Sequence, residues 1–200
     1  HLGDSYPSRA MDQGFSEALV HRGGGVGQPS DPPGNTYFDP VLTHNGREVK
    51  SRGYCSDVFT DAAVRFITDH RARPFFVYLP HFSIHTPLDA RPESLDKFKR
   101  KKPGAQHGNP LYAACLYDLD ASVGILLAKI AELGLERDTL VVFTSDNGGT
   151  QASSQEPLRG NKGGYYEGGI REPFIVRWPA VTRPGSRSDT PVINLDLYPT

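Results

Sequence analysis

The chain has 200 residues, enough for one domain, and its 22 basic and 23 acidic side chains leave a net charge of −1. That balance advertises no broad surface for nucleic acid, and an apolar share of 37% is too high for a disordered chain. No unbroken apolar run approaches the ~20 residues of a membrane span, and two cysteines, Cys55 and Cys115, make no disulfide scaffold and lack zinc-ligand spacing.

The chain opens on His1, which reads as a processed start or a cut. Residues 1–53 hold 14 Gly or Pro, so loops and turns are expected there. From Ser56 the pattern changes. Val58, Phe59, Ala62, Ala63, Phe66 and Ile67 recur at helical spacing, with Ser56 or Asp57 as the cap and an end near residues 70–73, before Pro74. Residues 75–79, Phe-Phe-Val-Tyr-Leu, read as a short buried strand. Residues 80–110 are punctuated by proline and carry a basic cluster at 97–102, the composition of a solvated face.

The clearest helix runs from about Leu111 to Leu133. Leu111, Cys115, Leu119, Val123, Leu126, Ile130 and Leu133 form one apolar stripe that makes Cys115 a core residue, and Gly134 follows as the cap. Residues 140–143 and 173–178 read as two further strands. Alternation of helix and strand predicts an α/β fold with a mostly parallel central sheet flanked by helices.

In open α/β sheets, ligands bind beyond the carboxyl ends of the strands. Ser145-Asp146-Asn147-Gly148-Gly149 follows one predicted strand. There a carboxylate beside a carboxamide offers hard oxygen donors suited to Ca²⁺ or Mg²⁺, although an Asx-type turn without metal would use the same residues. His81-Phe82-Ser83-Ile84-His85-Thr86-Pro87 follows another, and a histidine there can be a general acid or simply a hydrogen-bonded structural group. Lys162, among glycines in Arg159-Gly160-Asn161-Lys162-Gly163-Gly164, could meet an anionic oxygen or be a plain surface lysine. His21 and the glycines after it could line a pocket.

In this order the segments resemble the sulfatase family. Thr139-Leu140-Val141-Val142-Phe143-Thr144-Ser145-Asp146-Asn147-Gly148 resembles its metal-binding strand and loop. Leu158-Arg159-Gly160-Asn161-Lys162-Gly163 followed by Tyr166-Glu167-Gly168-Gly169-Ile170-Arg171-Glu172-Pro173 resembles its second signature. His85-Thr86-Pro87 and His1-Leu2-Gly3 resemble two shorter elements.

The resemblance implies the fold of the alkaline phosphatase superfamily and hydrolysis of aryl or carbohydrate sulfate monoesters. It makes Asp146 and Asn147 ligands of a divalent cation, usually Ca²⁺. It makes His85 and Lys162 catalytic and sulfate-contacting residues, and His1 a partner of the nucleophile. Arg171, Glu167 and Asp120 fall in family-like segments as structural residues. The family's nucleophile, a formylglycine made in a Cys-x-Pro/Ala-x-Arg context, matches neither Cys55 nor Cys115, and is expected upstream of the chain. The expected layout is a partial catalytic domain over residues 1–200. Residues 1–53 would form a loop-rich active-site border and 54–200 part of the α/β core, without the nucleophile region or the C-terminal subdomain.

A sulfate ester substrate, no nucleic-acid partner, no membrane span and an exported location complete the expectation. The oligomeric state is not legible. Two alternatives stay open: a phosphomonoester, phosphodiester or phosphonate hydrolase of the same superfamily, and an inactive homologue acting as a binding module.

Overall fold

The computed structural model describes residues 3–197 and 199. Its first sheet lies in the stretch expected to be loops. β2 (Val41–His44) and β3 (Arg47–Lys50) form an antiparallel hairpin, and β1 (Leu19–Val20) pairs with the other edge of β2. The two turn residues, Asn45 and Gly46, have φ of 48° and 81°, the left-handed pair that a two-residue hairpin turn requires. Asn45 Oδ1 accepts from the Ala18 N–H at 2.8 Å, and the Asn45 N–H donates to the Ala18 carbonyl at 2.9 Å. Leu42 of β2 is buried with Val26, Tyr37, Tyr54, Cys55, Phe59 and Phe82 in the larger of two apolar clusters.

α1 (Cys55–His70) buries Phe59, Ala63 and Ile67 on one face and ends where Pro74 predicts. Neither Ser56 nor Asp57 caps it. Tyr54 holds the N-cap position without a side-chain bond, and buried Ser56 instead shares a 2.9 Å hydrogen bond with Ser83 Oγ. α2 (Pro92–Lys99) occupies part of the proline-punctuated stretch. Pro92 sits in its first turn, where a missing N–H costs nothing.

α3 (Pro110–Glu132) starts at Asn109, whose Oδ1 accepts from the N–H groups of Leu111 and Tyr112. It closes on Gly134 with φ of 71°. The Gly134 N–H donates to the Ala131 carbonyl and the Leu135 N–H to that of Ile130, so the last carbonyls are satisfied. By length and a mean hydropathy of 1.5 this helix could cross a membrane. It packs instead on α1 and α2 and holds a completely buried carboxylate, Asp118. Asp118 accepts from the Arg91 N–H, from Arg91 Nη1 at 3.0 Å and from Ser94 Oγ at 2.6 Å. Arg91 also pairs with Asp57 and lies over the Tyr54 ring, so one guanidinium ties α1 to α3. Cys115 is buried, as its place on the stripe predicts.

β4 (Val141–Thr144) and β5 (Phe174–Arg177) form a second, two-stranded sheet. The α/β class holds, and the three ladders among the described residues, β1 with β2, β2 with β3 and β4 with β5, are antiparallel, so parallel pairing is not seen among them. A parallel neighbour needs a helical crossover, and the only helix between β4 and β5 is α4 (Glu167–Ile170), a single turn. Residues 75–79 join none of these ladders. Their side chains still alternate in burial, with exposed Phe76 and Tyr78 packed on Phe15 at centroid distances of 5.9 and 6.5 Å.

Candidate functional site

Asp146 and Asn147 stand on the loop leaving β4. Asp146 is exposed, and Asn147 Nδ2 donates to its Oδ2 at 2.6 Å, while Ser145 Oγ donates to the Asn147 carbonyl at 3.0 Å. Behind them two loops meet backbone to backbone. The Gly148 N–H donates to the Gly169 carbonyl at 3.1 Å, and the Lys162 N–H donates to the Gly149 carbonyl at 2.9 Å.

The glycines are required by contact. A Cβ on Gly148 would overlap the Gly168 carbonyl, one on Gly168 would overlap the carbonyls of Gly160 and Arg159, and one on Gly169 those of Gly164 and Asn161. Lys162 is therefore held beside the Asp146–Asn147 loop by main-chain contacts. Its side chain is exposed and has no ion-pair partner among the described residues. Nearby, Arg159 lies 3.8 Å over the Tyr166 ring, and Arg171 pairs with Glu167 at 3.3 Å.

His85 is held separately. Its N–H donates to the Phe82 carbonyl at 2.9 Å, and its ring Nδ1 lies 2.7 Å from the Thr86 carbonyl. A carbonyl only accepts, so Nδ1 carries the proton there and Nε2 is the nitrogen left for chemistry. Gln28 Nε2 donates to the same carbonyl at 2.9 Å, tying this loop to the glycine-rich segment. The chain beyond is pinned as well: the Asp89 carbonyl accepts from Tyr54 Oη and Cys115 Sγ. Among the described residues no hydrogen bond or ion pair joins His85 to Asp146, Asn147 or Lys162. His1 lies outside the described residues.

The donor set favours a hard cation. Glu172 is half-buried with Oε1 unpartnered, and its carboxyl is pushed above the ordinary range by burial first and by the Asp146 charge second. A carboxylate and a carboxamide with a second carboxyl group nearby are hard oxygen donors of the kind a divalent ion takes. No cluster of three or more His, Cys, Asp or Glu gathers among the described residues, so Asp146 and Asn147 could by themselves offer only part of a ligand shell.

Burial disfavours the thiolate form at both cysteines. Burial pushes Cys55 to about 12 and Cys115 to about 11, far from the thiolate. A groove of about 590 Å³ lined by Phe174, Val176, Arg177, Pro179 and Arg183 contains none of the candidate residues. His81, near His85, has both ring nitrogens buried without a partner, and burial alone holds it down at about 4.

A model of the sulfatase family matches residues 3–200. The chain is 36% identical over 160 residues to a sulfatase of Formosa agariphila, covering 74% of this chain and 29% of that protein. It is also 36% identical over 151 residues to human steryl-sulfatase, covering 70% of this chain and 24% of that one. Among solved structures, Ps i-CgsB in complex with k-i-k-neocarrahexaose superposes with a TM-score of 0.86 at 32% identity, over 98% of this chain and 47% of that one. The chain thus spans under a third of the length of these curated relatives.

Proposed function

The chain belongs to the sulfatase family, and from that premise we propose that the intact protein hydrolyses sulfate monoesters of carbohydrate or aryl alcohols. The observation that carries this reading is the glycine contact that sets Lys162 beside Asp146 and Asn147. Cleavage of a sulfate ester moves negative charge onto the bridging oxygen while the non-bridging oxygens stay anionic. The Lys162 ammonium binds one of those oxygens in a setting where glycine neighbours allow close approach. His85, with Nδ1 committed to Thr86, offers Nε2 to the leaving oxygen and returns a proton to it when protonated.

Asp146 and Asn147 would hold a divalent cation, Ca²⁺ by family resemblance, which when bound supplies charge stabilisation at the sulfate oxygens. The formylglycine has no counterpart at Cys55 or Cys115, and His1 is assigned to it by resemblance alone. Residues 1–53 as a border of the active site, residues 54–200 as part of the catalytic core, and an exported location belong to the same proposal.

The test uses the intact protein with 4-nitrophenyl sulfate and 4-nitrophenyl phosphate. The expected result is turnover of the sulfate in preference to the phosphate, lost on treatment with EDTA and restored by Ca²⁺. Turnover of the phosphate alone would move the protein to the phosphohydrolase branch. Hydrolysis of neither ester would leave a binding module.

A further inference from the structure

Five of the chain's 22 cations fall within six residues: Lys97, Lys99, Arg100, Lys101 and Lys102. No carboxylate follows until Asp118, so this run is strongly positive on a chain whose total charge is −1. Lysines at the end of α2 complement the helix dipole, which accounts for Lys97 and Lys99 but not for the three cations beyond the helix. None of the five forms an ion pair among the described residues. Two are fixed by aromatic rings, Lys97 lying 3.6 Å over Tyr117 and Lys101 lying 4.9 Å over Phe98. Lys99, Arg100 and Lys102 are exposed.

The chain after the run contacts the loop that precedes Lys162. Gly104 N–H donates to the His107 carbonyl and turns the chain back, and within that turn Gln106 Nε2 donates to Glu156 Oε2 at 2.8 Å. Glu156 belongs to the loop that continues from Gly149 toward Lys162. The segment that follows the basic run is thereby joined to the loop that leads to Lys162.

From this placement we infer that Lys99, Arg100 and Lys102 form an anion subsite for further sulfate groups of a polysulfated glycan whose reacting ester lies at Lys162. The inference rests on the sulfatase reading and narrows it to a polyanionic carbohydrate chain. A small aryl sulfate reaches Lys162 without touching the run, whereas a glycan with several sulfates spans both. A glycan is favoured over a membrane or a nucleic acid because the segment after the run is hydrogen-bonded to the loop that carries Lys162.

The test compares the intact enzyme with its Lys99→Ser/Arg100→Ser/Lys102→Ser variant. The readouts are binding of a labelled dextran sulfate oligosaccharide across a salt series, and kcat/KM on 4-nitrophenyl sulfate. Three exposed charge contacts predict roughly tenfold weaker glycan binding and a shallower salt dependence. Turnover of the aryl ester and the melting temperature should stay unchanged. Equal glycan affinity in the two proteins overturns the subsite while leaving the sulfatase reading intact. A fall in aryl sulfate turnover matching the loss in binding overturns it as well. An equal or larger loss of binding to phosphatidylserine vesicles or to an RNA oligomer assigns the run to those partners instead. Absence of aryl sulfate turnover in the unmutated enzyme defeats the sulfatase reading itself.

Discussion

Residues 19–135 and residues 136–197 are held together by different means. The first region buries side chains: aromatic rings under the hairpin, the apolar faces of α1 and α3, and a carboxylate, Asp118, satisfied by Arg91 and Ser94. In the second, the only buried residues are Gly148, Gly168 and Gly169, while Phe143, Phe174, Ile175 and Val176 of β4 and β5 remain exposed. The helical region is therefore a scaffold stabilised by packing. The region with Asp146, Asn147 and Lys162 is shaped by the backbone, and gains close approach rather than buried area. A substitution should then damage the first region through stability and the second through geometry.

The largest separation of the two is expected from Asp118→Ala. It strands Arg91 and Ser94 but leaves Arg91 its bond to Asp57, so the cost is about 3 kcal/mol, the low end for breaking a buried pair. Urea unfolding of the intact protein measures it, and a loss below half that value would remove Asp118 as the centre of the helical scaffold. Gly148→Ala acts on the other region. Its Cβ would push apart the two loops that set Lys162, which predicts about a hundredfold loss of kcat/KM for a displacement on the ångström scale. The unfolding midpoint of the helical region should barely move. A variant that unfolds in proportion to its lost activity would erase the distinction.

A smaller effect concerns pH. Burial holds His81 at about 4, below its ordinary 6.5, so between those values the unfolded chain binds the additional proton. The stability due to its neutral form is full above about 6.5 and is lost as pH falls toward about 4. His81→Phe removes the buried, unpartnered ring nitrogens. Unfolding midpoints at pH 7 and 5 should then converge relative to the unmutated protein, and an unchanged gap would show that another group carries the acid sensitivity.

The division between the two regions was only partly legible in the amino-acid order. α1 and α3 were visible because a packed helix needs an apolar stripe, and Gly134 was visible because a left-handed cap favours glycine. The hairpin has its own signal, Asn45-Gly46 between alternating side chains, but it lies in a stretch whose glycines and prolines otherwise read as loops. Asp118 and Ser122 interrupt the buried face of α3, where a polar side chain demands a partner, but residue type alone does not say that the partners are Arg91 and Ser94. Strand order was not legible, since pairing depends on which edges meet rather than on local pattern. The motif residues were legible singly, but the main-chain hydrogen bonds that join Gly148 and Gly149 to Gly169 and Lys162 leave no trace in residue type beyond the glycines themselves. Glu172 has no role legible from its place in the sequence, and only its closeness to Asp146 in space suggests one.

The central claim is that the backbone-built loop pair delivers Lys162 to a sulfate ester. It is tested most directly by kcat/KM of the intact enzyme and its Lys162→Ala variant on 4-nitrophenyl sulfate. Removal of one preorganised charge partner predicts a loss of roughly 10²–10³-fold with an unchanged melting temperature. Turnover within twofold of the unmutated enzyme would contradict the account.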